Sequence, residues 1–460
     1  MLEAALPPGP RSRLWTTYKV ATHPVTAMRD YRERYGDPYM LTAVNGPVVC
    51  TADPEHIRTL FTTTDPEQFD VFAAAPAEAL LGRNSLLLIS GARHRRERKL
   101  LAPPFHGERM RAYGRVMVEA TRRAMSTLSP GENFVAIART QKISIEAIVR
   151  AVFGVEDRGR IEAHERALVS TLEAVKPIFM FAKATQVAPF GLGPWATYRA
   201  RSAEADRLLY AHIEERRRSL AAETGPDAAP TSTQGDILTL MLEARYEDGA
   251  GMSDQAVRDE LRTLLIAGHE TTAISLAWAL DGIHRNPEVK TKLLAELDAH
   301  PVEPGSDPDP ASLAKLPYLS AVVDETLRLY PVVETVIRKL RKPMRFAGYD
   351  LPVGMGIAAL ISVVHHRADL YPEPARFDPE RFLGRKPSPF AYLPFGGGAR
   401  RCIGAAFSLY ETKLAIATIM REYELELREP KPVEVVRRSV TLGPKTGIRM
   451  RLLGPRKPRA

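Results

Sequence analysis

The sequence predicts a mainly α-helical protein with a smaller β-rich part. Segments near 108–128, 139–153, 196–222 and 254–285 repeat apolar residues at the spacing of one helical face. A further helix over 53–61 is predicted to begin with Asp53 as its N-cap and Pro54 at its first position. Strand-like runs are fewer, near 38–52, 346–360, 423–427 and 439–452. Composition predicts exposed loops at 223–235 and 301–310.

Length and composition indicate a folded globular chain. It has 460 residues, of which 45% are hydrophobic and 26% charged, and these fractions are ordinary for a protein with a large core. Length alone favours about three domains. Residues 1–12 are expected to form an extended N-terminal tail, and 454–460 a basic C-terminal tail.

The net charge of +9, from 64 Lys and Arg against 55 Asp and Glu, raises the possibility of nucleic-acid binding. The basic residues are spread along the chain, however, and no zinc-finger or helix-turn-helix spacing is present. The densest clusters, at 93–99 and 216–218, have helical character. A solvated helix face or a docking surface for an acidic protein explains them better, so we expect no nucleic-acid partner.

Neither a membrane span nor a disulfide framework is expected. The longest apolar run, MGIAALISVV at 355–364, is shorter than the roughly 20 residues that a spanning helix needs, and it is interpreted as a buried strand. Cys50 and Cys402 are the two cysteines, which is typical of a reducing compartment, so a cytoplasmic location is expected. Cys50 lies in a strand-like run and is expected to serve only packing.

Cys402 lies in a loop of unusual composition, FGGGARRCIG at 395–404, followed by a long helical pattern. The first amide groups and the dipole of that helix favour a thiolate at position 402. The glycines allow close approach to a flat group, and Arg400 could bind an anion. A redox nucleophile, a metal ligand and an inert cysteine all remain open at this point.

The 254–285 segment places Leu264, Gly268 and Thr271 on one helical face. Gly268 leaves room for a ligand, and the Thr271 hydroxyl can donate to the carbonyl of Ala267 and open the helix locally. Glu270 adds a neighbouring acid for proton transfer. The alternative is a packing site of small residues with one exposed glutamate.

Together these motifs resemble the haem-thiolate monooxygenases of the cytochrome P450 family. The spacing F-x-x-G-x-R-x-C-x-G resembles the family's haem-binding loop, which implies that Cys402 is the axial ligand of haem iron. By the same resemblance Phe395 packs near the sulfur, Gly398 permits the tight bulge, Arg400 reaches a haem propionate and Gly404 lets the next helix approach the macrocycle.

The resemblance extends to the motif AGHETT at 267–272, which is similar to the family's central helix. It implies that Ala267 and Gly268 contact the cofactor. Thr271 is then the alcohol that supports dioxygen activation, and Glu270 is the neighbouring acid.

Two further motifs have counterparts in the family. ETLR, with Glu325 and Arg328, and RFDPERF, with Arg381, are expected to form a structural lock behind the cysteine loop. His94 and Arg98, four apart on a helix, and Arg338 match positions that bind haem propionates. Adjacent His365 and His366, read as strand residues facing opposite ways, are interpreted as structural.

The resemblance covers nearly the whole chain and implies a single catalytic domain over 1–460, with haem b between the central helix and the cysteine-loop helix. No flavin or nicotinamide domain fits, so electrons are expected from a ferredoxin or flavodoxin and its NAD(P)H-dependent reductase. The chain is expected to be a monomer that inserts oxygen from O2 into a small hydrophobic substrate such as a fatty acid, terpenoid or steroid. A peroxide-rearranging enzyme or a gas sensor is the alternative, and a basic haem-free binding protein a remote one. The expected pocket side chains are Phe72, Leu86, Leu87, Phe179, Phe181, Val332 and Val333.

Overall fold

The computed structural model describes residues 6–43, 45–105, 107–176, 179, 183–223, 236–301, 307–438 and 440–456. Within these ranges the chain is mainly helical. The helices, labelled in chain order, are α1 (Arg13–Thr22), α2 (Pro24–Tyr35), α3 (Pro54–Thr62), α4 (Ala74–Leu81), α5 (Gly91–Leu101), α6 (Glu108–Ser126), α7 (Ala136–Phe153), α8 (Arg158–Ala174), α9 (Pro194–Glu223), α10 (Ile237–Glu243), α11 (Asp254–Arg285), α12 (Pro287–Ala299), α13 (Pro310–Leu313), α14 (Pro317–Leu329), α15 (Ile361–Val364) and α16 (Ala405–Glu422).

The strands are short. They are β1 (Tyr39–Ala43), β2 (Gly46–Thr51), β3 (Phe69–Asp70), β4 (Asn133–Val135), β5 (Thr335–Leu340), β6 (Met344–Phe346), β7 (Tyr349–Leu351), β8 (Gly356–Leu360), β9 (Tyr423–Leu427), β10 (Val435–Arg438), β11 (Thr441–Pro444) and β12 (Arg449–Pro455).

The chain divides into two compact units. The first comprises Met1–Phe72, Met117–Ile143 and Thr271–Ala460, and the second Ala73–Val116 and Ser144–Glu270. All the strands above belong to the first unit, which is therefore the β-rich part. The second unit is built from helices, and α6, α7 and α11 each have residues in both.

The main sheet of the first unit has five strands in the order β1-β2-β8-β5-β3. β2 pairs with β8 in parallel, and the other neighbours are antiparallel. Its central strand β8 is buried along its whole length, which explains why its sequence is a continuous apolar run rather than an alternating one. This sheet carries Arg338, which lies on β5 opposite Ile357 of β8.

Local sequence accounts for several of the boundaries. Asp53 caps α3 by accepting hydrogen bonds from the backbone N–H groups of Glu55 and His56, at 2.8 and 3.4 Å, and Pro54 occupies the first helical position as predicted. The predicted helix over 254–285 is found with the same bounds. Cys50 is buried in β2, in agreement with a packing role.

Some expectations need correction. The run 355–364 is a buried strand only as far as Leu360, and Ile361–Val364 form a helical turn, α15. His365 ends that turn, so the argument that His365 and His366 alternate along a strand was wrong. β12 continues to Pro455, into the segment expected to be a tail.

Several predicted loop and tail residues lie outside the described ranges. They are 1–5 and 457–460 of the two tails, 224–235 and 302–306 of the two loops, and Phe181 of the expected pocket. Among the helices that the structure describes, none is long and apolar enough to cross a membrane.

Candidate haem-binding site

The loop that carries Cys402 is closed by its own backbone. The Cys402 N–H donates to the carbonyl of Phe395 at 3.0 Å, and Gly398–Arg400 form a single 3₁₀ turn inside this closure. The cysteine is exposed, and α16 begins three residues later, at Ala405, with Gly404 as its N-cap. A sulfur in front of a helix N-terminus is favoured as the thiolate, because the helix dipole stabilises negative charge there.

The glycines of this loop pack on Phe61 of α3, a contact that the sequence did not predict. A Cβ at Gly397 would lie 2.2 Å from the Phe61 ring, and one at Gly398 would lie 2.6 Å from the Phe61 carbonyl oxygen. Gly396 and Gly398 also have φ near +64°, which favours glycine. The flat group that Gly397 approaches is thus a protein side chain. A Cβ at Gly404, by contrast, would meet no described heavy atom within 4 Å.

Arg338 and Arg400 are two cations of the first unit that lie close enough to repel each other. The Arg338 guanidinium donates from Nη1 to the carbonyl of Ile337 at 3.1 Å. Among the described residues it forms no ion pair with a carboxylate. Burial and, to a smaller extent, repulsion by Arg400 lower the pKa of Arg338 to about 10. Two neighbouring half-buried cations indicate a site for an anionic group.

The predicted lock is present behind the loop. Glu325 and Arg328 are fully buried and form a two-pronged ion pair, with Nε–Oε2 at 2.6 Å and Nη2–Oε1 at 2.8 Å. Arg381 donates from Nε to Glu325 Oε1 at 3.1 Å, and the backbone N–H of Asp378 donates to the same oxygen at 2.8 Å. One carboxylate thus fixes α14 to the irregular segment around 378–382.

His365 connects this lock to the cysteine loop. Its Nδ1 lies 3.1 Å from the carbonyl of Arg328, and its Nε2 accepts from the backbone N–H of Leu393 at 2.8 Å. These partners require the tautomer with the proton on Nδ1. Burial lowers the pKa of His365 to about 3, which keeps the ring neutral. Leu393 lies two residues before Phe395, so His365 links α14 to the start of the cysteine loop. The sequence predicted a structural role for His365 but not this connection.

The central helix α11 runs without interruption through the AGHETT motif. Ala267 is exposed, whereas Gly268, Glu270 and Thr271 are half-buried. Gly268 packs against Ile148 of α7, since a Cβ at position 268 would lie 3.3 Å from Ile148 Cδ1. Helix packing therefore explains that glycine at least in part. The expected local opening of the helix by the Thr271 hydroxyl stays a prediction.

Within the first unit, α11 contacts the cysteine-loop helix directly. Thr272 Oγ1 lies 3.1 Å from Ser408 Oγ in the first turn of α16. Thr140 Oγ1 fixes the same part of α11 from the other side, by donating to the carbonyl of Ala273 at 2.8 Å. The end of α11 that begins at Thr271 is therefore held beside the helix that follows Cys402.

His94 and Arg98 lie on α5 in the second unit, where His94 is buried and Arg98 half-buried. The basic stretch around them is partly neutralised. Lys99 pairs with Glu247 at 2.9 Å and Arg96 with Asp248 at 3.4 Å. Glu97 accepts a hydrogen bond from the Tyr246 hydroxyl at 2.7 Å. Two of the cations in the cluster at 93–99, Arg96 and Lys99, are thus paired with carboxylates.

The expected pocket side chains divide into buried and exposed ones. Leu86, Phe179 and Val332 are buried, whereas Leu87 and Val333 are 51% and 39% exposed. Phe72 lies between these two groups, since it is half-buried.

The residues around Cys402 fit a haem. An exposed sulfur before a helix N-terminus suits the axial ligand, and the space at Gly404 leaves room for a macrocycle. Arg338 and Arg400 suit propionates, because two carboxylates would supply the negative charge that the described residues do not give Arg338. Among the described residues no group of three or more His, Cys, Asp or Glu could hold a metal ion by itself.

Comparison with known proteins identifies the family. The family model described as Cytochrome P450 matches residues 6–449. "Putative cytochrome P450 135B1" of Mycobacterium tuberculosis is 36% identical over 459 residues, which cover 98% of this chain and 92% of that protein. "Putative cytochrome P450 138" of Mycobacterium bovis is 33% identical over 427 residues, which cover 91% and 89%.

A solved structure supports the same fold. "Retinoic acid bound cyanobacterial CYP120A1" superposes with a TM-score of 0.82 at 24% identity, and the match covers 98% of this chain and 99% of that one. The mainly helical fold with small sheets that the sequence predicts is thereby confirmed. The family match confirms the predicted haem cofactor. The chain belongs to the cytochrome P450 family of haem-thiolate monooxygenases.

Proposed function

We propose that this cytochrome P450 inserts one oxygen atom from O2 into a C–H bond or double bond of a small hydrophobic substrate, with electrons from a separate protein. The observation that carries the proposal is the cysteine loop, in which an exposed Cys402 lies before α16 and near two cations, Arg338 and Arg400. Haem, when bound through the Cys402 thiolate, supplies the chemistry that activates dioxygen.

Cys402, Arg338 and Arg400 of the first unit and His94 and Arg98 of the second are proposed to hold the cofactor. Cys402 is the iron ligand, and the four basic residues receive the propionates. Buried or half-buried arginines bind carboxylates strongly because little water competes for their N–H groups. Phe395, Gly398 and Gly404 shape the loop around the sulfur, and Ala267 and Gly268 form the wall on α11.

Glu270 and Thr271 are proposed to deliver protons during dioxygen activation. They are adjacent and half-buried on α11, so both side chains can reach water and a bound ligand. A carboxylate can take a proton from solvent, and a hydroxyl can pass it on through one water. The contact of the neighbouring Thr272 with Ser408 at 3.1 Å supports a fixed position for this pair.

The electron donor is proposed to be a ferredoxin or flavodoxin with its NAD(P)H-dependent reductase. Arg401 is exposed beside Cys402 and offers a cationic contact near the ligand sulfur. On α5, the pairs of Lys99 with Glu247 and of Arg96 with Asp248 are exposed and therefore weak, so an acidic partner could replace those carboxylates. Electron transfer should therefore slow as salt rises.

The substrate class is proposed to be apolar, such as a fatty acid, terpenoid or steroid. Support comes from the apolar character of the expected pocket residues, of which Leu87 and Val333 are exposed. We also propose that residues 1–460 act as one catalytic domain and work as a monomer.

A peroxide-rearranging enzyme or a gas sensor is the second candidate, because each would also use a thiolate haem. The adjacent Glu270 and Thr271 favour the monooxygenase, since a peroxide rearrangement needs no external protons. Product formed with O2, NAD(P)H and a redox partner supports the monooxygenase. Product formed only from a peroxide, without the reductase, would favour the alternative.

The proposal is tested first by the cofactor. The reduced, carbon monoxide-treated protein should give the difference spectrum of a thiolate-ligated haem, and Cys402→Ser should lose that spectrum. Retention of the spectrum in Cys402→Ser would exclude the proposed ligand. A screen of apolar compounds for substrate-induced spin-state shifts would then identify the substrate class.

A further inference from the structure

The loop 82–90 of the second unit, between α4 and α5, is attached to α11 by two side chains of that helix, Asp259 and Thr263. Asp259 Oδ2 accepts from the backbone N–H and from Nδ2 of Asn84, at 3.0 and 2.7 Å. Thr263 Oγ1 lies 2.7 Å from Ser85 Oγ. The loop also approaches α11 so closely that a Cβ at Gly82 would lie 2.1 Å from Asp259 Oδ1. The loop conformation therefore depends on this face of α11.

Glu260 lies between these two attachments and differs from them. Its side chain is buried, and its Oε1 has no hydrogen-bond partner in the part of the chain that the structure describes. The Glu260 carboxyl group does accept a hydrogen bond from the backbone N–H of Leu86 in the loop. No cation forms an ion pair with Glu260 among the described residues, whereas Asp259 has Arg258 Nη1 at 3.1 Å from Oδ1. An ionised carboxylate in this position would be costly, because burial removes its hydration and the Leu86 N–H replaces only part of it.

The surroundings of Glu260 raise the pKa of its carboxyl group and so favour the protonated form. Burial above all, together with the nearby carboxylates of Glu97 on α5 and Asp259 on α11, raises the pKa of Glu260 to about 8. The Leu86 N–H and the Arg93 guanidinium on α5 oppose this rise. At neutral pH the carboxyl group is therefore mostly protonated while the loop is attached.

We propose that Glu260 is a positioning residue: in its protonated form it holds the 82–90 loop against α11, and its ionisation releases the loop. The buried, unpartnered Oε1 and the adjacent carboxylate of Glu97 carry this inference. The loop leads into α5 and contains Leu86 and Leu87. Its release would therefore loosen both the segment that precedes His94 and one wall of the expected substrate pocket.

The sign of the effect follows from proton linkage. With the loop released and Glu260 in water, the carboxyl group returns to its ordinary pKa of 4.5, whereas with the loop attached the pKa is about 8. The attached form thus binds the proton more tightly. Each unit of pH between about 4.5 and about 8 favours the released form by about tenfold, and above about pH 8 the effect levels off.

Hydrogen exchange of the haem-loaded enzyme tests the proposal without any substrate. The measured quantity is the protection factor of the Leu86 and Leu87 amides, corrected at each pH for intrinsic exchange. In the wild type, protection should fall by about tenfold per unit from about pH 6 to about pH 8 and then level off. Glu260→Gln, which mimics the protonated group, should keep protection high at every pH.

Two further variants make the test specific. Glu97→Gln removes a neighbouring negative charge, so the protection profile of this variant should level off at a lower pH than that of the wild type. Glu78→Gln makes the same chemical change at an exposed residue of α4, four positions before the loop, and should leave the wild-type profile unchanged. If Glu260→Gln does not fold, the proposal is tested by the pH at which protection levels off, which should be lower in Glu97→Gln than in the wild type and would overturn the proposal if it were the same. Flat wild-type protection, or the full pH dependence in Glu260→Gln, would overturn the proposal.

A second readout concerns the pocket and rests on the proposed function. The substrate-induced spin-state shift should require more substrate as pH rises toward about 8 in the wild type, but not in Glu260→Gln. If loop protection follows the expected profile while substrate affinity does not, the proposed pocket is wrong and the role of Glu260 stands. If both stay constant with pH, the role of Glu260 is wrong.

Discussion

The buried carboxylate of Glu325 gives the sharpest test of how the cysteine loop is supported. Glu325 accepts hydrogen bonds from Arg328 Nε and Nη2, Arg381 Nε and the backbone N–H of Asp378, at 2.6, 2.8, 3.1 and 2.8 Å. Glu325→Gln keeps the size of the side chain but removes the charge. The fully buried guanidinium of Arg328 then has no counter-charge within this group.

Breaking such a pair costs about 3–5 kcal/mol, because one buried charge remains uncompensated. The whole free energy of unfolding of a protein is only about 5–15 kcal/mol, so Glu325→Gln should lower the urea midpoint of the haem-loaded enzyme substantially. The matched control is Glu162→Gln. Glu162 is 46% exposed and pairs with Arg158 at 2.9 Å, an i,i+4 pair worth about 0.3–0.5 kcal/mol.

Urea unfolding followed by circular dichroism and by the haem absorbance measures both variants. Glu325→Gln should also lose the thiolate-type spectrum at lower urea than it loses helix, because α14 supports the cysteine loop through His365. A loss below about 1 kcal/mol, equal to that of Glu162→Gln, would refute the view that Glu325 supports this loop.

Four further predictions follow from the site. Arg338→Gln should weaken haem binding by about 10–100-fold, since a charge-assisted hydrogen bond contributes about 1.5–3 kcal/mol; haem transfer to an excess of an acceptor protein measures this, and an unchanged rate would exclude a propionate contact. Gly397→Ala should destabilise the loop by about 1–3 kcal/mol because the added Cβ would clash with the Phe61 ring. In the double variant, Phe61→Ala should offset part of that loss, and urea unfolding in which the two free-energy losses simply add would argue against the contact. Thr271→Ala should divert electrons from product to hydrogen peroxide, and an unchanged peroxide-to-product ratio would exclude its proton-delivery role. Because the pKa of His365 is lowered from 6.5 to about 3, the unfolded chain binds up to one more proton than the folded chain between these two pH values. This group should therefore lower the unfolding free energy by about 1.4 kcal/mol for each unit by which pH falls within that range, and His365→Asn should remove that share of the slope measured from about pH 6 to about pH 4.

The elements that the sequence predicted well are those encoded by neighbouring residues. Asp53 and Pro54 mark the start of α3 because capping involves only the next few residues, and the apolar spacing of 254–285 gives α11 its full length. The ion pair of Glu325 with Arg328 was predictable for the same reason, since three residues separate the partners on one helix.

The features that the sequence did not predict depend on distant segments. A continuous apolar run has the same residue pattern in a buried strand and in a buried helical turn. The change from β8 to α15 after Leu360 could therefore not be predicted from the sequence. Phe61 is far in sequence from the glycines that pack on it, and His365 acts through a carbonyl and an amide that leave no residue-type signal. The pairing of Lys99 with Glu247 was missed because opposite charges occur throughout the chain.

The packing of Gly397 and Gly398 on Phe61 also bears on when the cofactor cradle can form during synthesis. The ribosome releases α3 long before the glycines that complete this contact. Contacts so distant in sequence form late, since the intervening chain must first be ordered. Haem capture should accordingly follow release of the cysteine loop, and nascent chains arrested before that loop should leave the porphyrin unbound.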